Sequence, residues 1–397
     1  MKKQNKCVVF VTMSNHGKLQ LDGAQMAVEL CRTAQGSTGD IDMYTASLNG
    51  DNDSMAWRLL RSSCPPNRIL CAGTTCELVA DIGKLFDDYE CVLVEFYGGR
   101  TLLKNLIPLK RKYKSRLKIV ASVWSYRHGT WRQGLCSLGY FLTYRKYVDM
   151  VVFGCPYAAR NFTFSSALFR NGRACIMPLS GTADVRQDGA DAMNVIREMD
   201  LYDLLMDKDS FKLVYMAQLR PIKNHVWLTK ALLPVMRENK HIHVIYCGGE
   251  SGVKKSRILD IAKNGGVAGR VHCPGRIPYE AVPVILRNAD CAIIPSISET
   301  YGFTYIEPMM FGIPVLGTRV GVGEYAIQDY YNGLTFSLDE PEELCRKVGF
   351  LAANRNFTAE MGKNASLFAH ETFLMEHVAR MRMGLYQRML SKCRIDA

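Results

Sequence analysis

No window of this sequence approaches the roughly 18 uninterrupted apolar residues that a membrane-crossing helix needs, so a soluble or peripheral protein is expected. C-x-x-C pairs are also missing. The 14 cysteines are scattered through 397 residues, a chain long enough to build an ample core. That argues against a disulfide framework or a zinc site and for a reducing, cytoplasmic setting. The first ten residues begin like a basic signal segment, but Ser14, Asn15 and His16 break the apolar run, and Cys7 to Thr12 is expected as a buried first strand. There is no fixed short repeat, no low-complexity tract and no Walker A glycine–lysine pattern. Finally, no Asp or Glu stands between Glu95 and Asp149, where twelve Lys or Arg do, eight of them from Arg100 through Lys118. With a net charge of +12, such a field attracts an anionic surface or an anionic substrate.

What is present is an ordinary globular composition, 48% hydrophobic and 22% charged, at a length that predicts two domains. Short apolar, β-rich runs alternate with helical patterns, as in parallel βαβ units. In the first half they start at Lys6, Asp40, Cys91, Leu117 and Met150, and in the second at Lys212, His243, Cys291 and Pro314. Between the sets, Asp184 to Ser210 is polar, rich in Asp and Met, and without strand pattern. The division expected is residues 1–185, a linker 186–210, a second domain 211–375 and a closing segment 376–397, with helical spacing from Phe368 to Leu390.

The most informative stretch is PSISETYGFTYIEPMMFGIPVLGT, Pro295 to Thr318. A buried strand ends at Pro295, a loop carries Glu299, and Gly302 permits close approach before a helix bearing Glu307. The first backbone N–H groups of that helix, with its dipole, favour a phosphate or an electron-rich sugar oxygen. The two carboxylates would repel a diphosphate, so hydrogen bonds from sugar and ribose hydroxyls suit them better. Spacing alone fits a solvated loop residue and a surface helix residue equally well.

This stretch resembles the donor-site signature of retaining glycosyltransferases of the GT-B fold, in particular family four, whose two glutamates are separated by seven residues. About twenty consecutive positions agree in character. LVYMAQLRPIKNH, Leu213 to His225, is similar to the family's loop in which an Arg and a Lys hold the donor diphosphate. Lys223 matches the lysine, Gln218 stands at the arginine position, and Arg220 is the nearby cation. DGAQMAVEL, from Asp22, resembles the first-domain glycine loop, with Gly23 retained. VHCPGRIP, Val271 to Pro278, resembles the block beside the nucleotide base, which brings in Arg276 and Ile277. The resemblance covers the second domain almost throughout and the first only loosely. It implies a GT-B fold: two Rossmann-like α/β domains facing across a cleft, the last helix returning to the first. It further implies that Glu307 binds the donor ribose and Glu299 the hydroxyls of the transferred sugar. Lys223 and the amides of Tyr301, Gly302, Phe303 and Thr304 would stabilise the departing nucleoside diphosphate, the group on which charge develops.

The activity expected is retaining transfer of a hexose-type sugar from a UDP- or GDP-sugar to a glycan or lipid-linked acceptor in surface polysaccharide or glycolipid synthesis. The alternatives are an epimerase or phosphorylase of the same fold, or a non-catalytic nucleotide-sugar-binding scaffold. No cofactor and no metal are expected, since Lys and helix N-termini can do a divalent ion's electrostatic work. Gly321, Gly323 and Ala326 satisfy G-x-G-x-x-A, but too late in the domain for a dinucleotide fingerprint. Asp40 and Asp42 form a D-x-D that flanks the buried strand residue Ile41. His128, after the fourth strand, is a candidate acceptor-side or sugar-contacting residue, whereas His225, His241 and His243 lack a metal pattern. Residues 100–118, with Leu102, Leu103, Leu106, Ile107 and Leu109 beside Lys110, Arg111, Lys112 and Lys114, suggest peripheral contact with an anionic membrane on its cytoplasmic face. No nucleic-acid motif occurs.

Overall fold

The computed structural model describes residues 4–12, 21–36, 41–48, 54–97, 100–123, 142–162, 165–181, 192–278 and 281–393. It divides into two compact units, Met1–Ser180 with Leu374–Ala397, and Gly181–Phe373. Each unit is a parallel sheet with helices on its faces.

The first sheet runs in the order β3-β2-β1-β4-β5-β6-β7. Its strands are β1 (Gln4–Val11), β2 (Asp42–Leu48), β3 (Ile69–Ala72), β4 (Tyr89–Tyr97), β5 (Leu117–Val123), β6 (Met150–Phe153) and β7 (Ala174–Ile176). Central strands of such sheets are covered on both faces and therefore read as unbroken apolar runs; Cys7 to Val11 are all wholly buried. Val8 and Phe10, two apart, face one side with the helices Leu21–Gly36, Met55–Ser63 and Met375–Ser391. The last of these helices shows why it joins this unit. Val378, Arg382, Tyr386 and Leu390 follow at intervals of four and are all buried, and Val378, Tyr386 and Leu390 enter that same core.

Arg382 interrupts this apolar stripe, and Glu95 interrupts the apolar run of β4; both are wholly buried. They pair with one another. Tyr386 also donates to Glu95 Oε2, and Ser122 Oγ donates to Oε1 at 2.5 Å. The expected closing helix from Phe368 is interrupted: Leu374 is extended (ψ 139°), separating Arg355–Phe373 in the second unit from Met375–Ser391 in the first.

The second sheet has the order β10-β9-β8-β11-β12-β13. Its strands are β8 (Phe211–Met216), β9 (Ile242–Cys247), β10 (Val271–Gly275), β11 (Cys291–Ile294), β12 (Val315–Gly317) and β13 (Gly333–Thr335). The stretch expected as linker holds two short helices, Ala192–Glu198 and Tyr202–Met206, anchored by buried Ala192, Ile196, Leu201 and Leu205. Their apolar positions are spaced by about one helical turn, a signal that the surrounding Asp and Met residues obscure. Among the described residues no helix is long and apolar enough to cross a membrane.

Candidate functional site

In the second sheet the chain leaves β8 toward β9 on one side and β11 toward β12 on the other. The loops that follow these two neighbouring strands diverge, and ligands of open α/β sheets bind at such a switch point, beyond the C-terminal strand ends. Lys223 follows β8 and Glu299 follows β11. Their loops are tied by the Ile297 N–H donating to the Ile222 carbonyl at 3.0 Å. A short turn, Pro221–Lys223, ends at left-handed Asn224 (φ 61°) and aims the lysine. Lys223 Nζ meets Glu299 Oε1 at 2.5 Å, with side-chain exposures of 17% and 8%. The pair is thus sheltered yet open on one side.

Behind it lies a buried polar chain. Ser296 Oγ donates to Glu299 Oε1 at 2.7 Å, and the Tyr215 hydroxyl lies 2.9 Å from Ser296 Oγ. Thr318 Oγ1 donates to the Ser296 carbonyl at 2.7 Å, and the Tyr305 hydroxyl to the Thr318 carbonyl at 3.0 Å. Burial, with the Glu299 charge adding, pushes the Tyr215 phenol well above its usual value, so it stays a neutral donor. The ring of His225 stacks on that of Tyr215 at 4.6 Å. Burial, with Lys223 adding, pulls this imidazole down to about 3, and it stays neutral at ordinary pH.

Gly302 caps the helix Phe303–Met310 in a left-handed conformation (φ 100°), where a Cβ would come within 2.9 Å of the Tyr305 ring. The start of this helix therefore lies against the Glu299 loop. Thr304 Oγ1 is buried without a partner among the described residues. Glu307, half-buried, sits in the second turn. At Gly321 (φ 58°) a Cβ would fall 2.3 Å from the Tyr301 carbonyl oxygen and 2.8 Å from Glu299 Cβ. The G-x-G pattern at 321–323 thus serves close packing against the glutamate loop. That is a structural reason for glycines that resemble a dinucleotide fingerprint.

The structure brings Lys223, Glu299, Tyr301, Gly302, Phe303, Thr304 and Glu307 together on two neighbouring loops and one helix. Gln218 and Arg220 are exposed, earlier on the Lys223 loop; Arg276 is exposed and Ile277 half-buried, just past β10. Gly23 lies in the other unit, in the first turn of Leu21–Gly36, and His128 lies outside the described residues. Asp42 is occupied in a structural role, bridged to Arg68 at 2.9 Å and accepting from the Tyr89 hydroxyl at 2.6 Å. No group of three metal-ligating side chains occurs among the described residues. Sequence reasoning missed Tyr215, Ser296 and Thr318. The serine three residues before Glu299 carried the available signal, a small hydroxyl within reach of the carboxylate.

The basic helix Arg100–Tyr113 buries most of its leucines and leaves Ile107 and Leu109 half-buried and Pro108 exposed. Leu102, Leu103 and Leu106 are in the core, Lys110 bridges Asp149 at 2.7 Å, and Arg116 donates to the Glu90 carbonyl at 2.7 Å. Most of the exposed side chains are charged: Lys104, Arg111, Lys112 and Lys114, together with Arg145 and Lys146.

Solved structures define the fold class. HepE of Anabaena bound to UDP aligns over 96% of this chain and 99% of its own, with TM-score 0.71 at 15% identity. A glycosyltransferase from Rickettsia africae aligns over 98% and 99%, with TM-score 0.71 at 12% identity. The chain is an α/β protein of the GT-B class, built of two Rossmann-like domains. Residues 198–368, most of the second unit, match the family described as glycosyl transferases group 1. Curated relatives include D-inositol 3-phosphate glycosyltransferases from Gordonia bronchialis and Nocardia farcinica. The first is 28% identical over 48% of this chain and 43% of its own length, the second 28% identical over 44% and 40%. The chain therefore matches less than half the length of either relative.

Proposed function

We propose that this protein is a retaining glycosyltransferase that moves a hexose-type sugar from a UDP- or GDP-sugar to a glycan or lipid-linked acceptor. The observation that carries this reading is the Lys223–Glu299 pair, 2.5 Å apart at the β8/β11 switch point and beside the Gly302 helix start. A cation and helix amides suit a diphosphate; a sheltered carboxylate suits sugar hydroxyls. HepE was solved with UDP, with UDP-glucose, and with UDP and glucose, which supports a donor of this kind.

In this reading Glu307 takes the ribose, Glu299 the transferred sugar, and Lys223 with the amides of Tyr301 to Thr304 the charge growing on the leaving diphosphate. No metal or other cofactor has a role. Retention follows from front-face attack, with the leaving phosphate accepting the acceptor's proton, so no enzymic nucleophile is needed. The test is a thermal-shift screen with EDTA present against UDP, GDP, ADP and their sugar conjugates. One nucleotide family should raise Tm, since saturation at about 100 Kd adds about 2.7 kcal/mol. No shift with any of them counts against the reading.

We place the acceptor side at the cytoplasmic face of an anionic membrane, supported by the exposed cations of residues 100–118. The attraction is mainly electrostatic, because Leu102, Leu103 and Leu106 of that helix are in the core and, of its aliphatic residues, only Ile107, Pro108 and Leu109 reach its surface. Replacing exposed Lys104, Lys112 and Lys114 with Ser should weaken sedimentation with phosphatidylserine-containing liposomes at least about tenfold, at about 1 kcal/mol per charge. Unchanged sedimentation removes the membrane role.

A further inference from the structure

The contacts that hold Glu299 fall on one of its two oxygens. Oε1 meets Lys223 Nζ at 2.5 Å and accepts from Ser296 Oγ at 2.7 Å, and among the described residues no hydrogen bond reaches Oε2. The order of the chain behind Oε1 follows from proton counting. An ionised carboxylate only accepts, so the single hydroxyl proton of Ser296 points to Glu299. The Tyr215 hydroxyl, 2.9 Å from the same Ser296 oxygen, must then be the donor in that bond. Ser296 is wholly buried, Tyr215 is 1% exposed, and the Tyr215 ring is clamped by the stacked, neutral His225. None of these groups can rearrange by turning to water.

We propose that Tyr215 and Ser296 are positioning residues that fix Glu299 with Oε1 turned inward, leaving Oε2 as the acceptor for a hydroxyl of the transferred sugar. This rests on the assignment of Glu299 to the sugar in the proposed function. Without the chain, the carboxylate could rotate and offer its oxygens at variable angles, and the sugar would have to order it on binding. The nucleotide, held by other groups, would be unaffected. A role confined to packing would instead weaken nucleotide and sugar conjugate together.

Tyr215→Phe removes one hydroxyl and keeps the stacked ring; Ser296→Ala cuts the chain at its middle. Each is titrated by calorimetry with UDP and UDP-glucose and with GDP and GDP-mannose, using the pair that the wild type binds and checking the Tm of each variant. Affinity for the free nucleotide should stay within about twofold. That for the sugar conjugate should fall about 10- to 150-fold, the range expected for a hydrogen bond lost at a charged group. Equal changes for nucleotide and conjugate, or none for either, overturn the positioning role while leaving the donor site standing. A wild type that binds neither pair overturns the glycosyl-transfer reading itself, and the positioning role with it.

Discussion

Arg382→Met lowers the stability of the first unit by about 3–5 kcal/mol, because it leaves the Glu95 carboxylate buried without its counter-charge. For a unit of about 200 residues that is a fall in Tm of about 6–20 °C. The magnitude reflects desolvation rather than the worth of the pair. A buried ion pair contributes little net stability against an apolar pair of similar size, but half of one is costly. The double variant Glu95→Met/Arg382→Met should therefore recover part of the loss. It falls short by about 1–3 kcal/mol, since the Tyr386 hydroxyl and Ser122 Oγ lose their acceptor. Calorimetric scans of the three proteins test this, and a single variant with wild-type Tm would show that the charges are not confined as described. Because Arg382 lies on the last helix and Glu95 on β4, the pair also ties the end of the chain to the unit with which it began.

The central strands were legible in the sequence and the outermost ones were not. β1, β2, β4, β5, β6, β8, β9, β11 and β12 announce themselves as apolar runs because both their faces are covered. The four without such a signal, β3, β7, β10 and β13, are the two edges of each sheet. They are three to five residues long, and the half-exposed positions of Ile69–Ala72 and Ala174–Ile176 show no buried run to detect. The site divided in the same way. Glu299, Gly302 and Lys223 sit on loops whose residue types are dictated by chemistry and close approach, and they stand out against an apolar background. Tyr215 and Ser296 do not, because a tyrosine in a strand and a serine in a loop read as ordinary core and turn residues. Only the pairing of β8 with β11 puts them in contact. Glu95 and Arg382 carried a signal that needed both halves: each is a charge inside an apolar pattern, nearly 300 residues apart, and each makes sense only with the other.

The second large effect is expected at Lys223. In the structure its ammonium neutralises Glu299, so Lys223→Ala does two things at once. It removes the cation proposed to face the diphosphate, and it leaves a carboxylate only 8% exposed to repel it. Opposite unit charges about 4 Å apart at an effective dielectric constant of about 20 interact by about 4 kcal/mol, of which part is returned by solvation. Nucleotide affinity should fall about 10- to 100-fold. Lys223→Ala/Glu299→Gln should bind more tightly than Lys223→Ala alone, because the uncompensated negative charge is gone. Gln218 and Arg220, exposed earlier on the same loop, do not replace the missing ammonium in this account.

The central claim is that a nucleoside diphosphate binds at the C-terminal edge of the second sheet, between the loops after β8 and β11. Its most direct test is an equilibrium titration, with EDTA present, of UDP and of GDP into wild type, Lys223→Ala and Lys223→Ala/Glu299→Gln. The account predicts that one nucleotide binds the wild type, loses affinity at least about tenfold in the single variant, and regains part of it in the double. Equal affinity in all three proteins would contradict it.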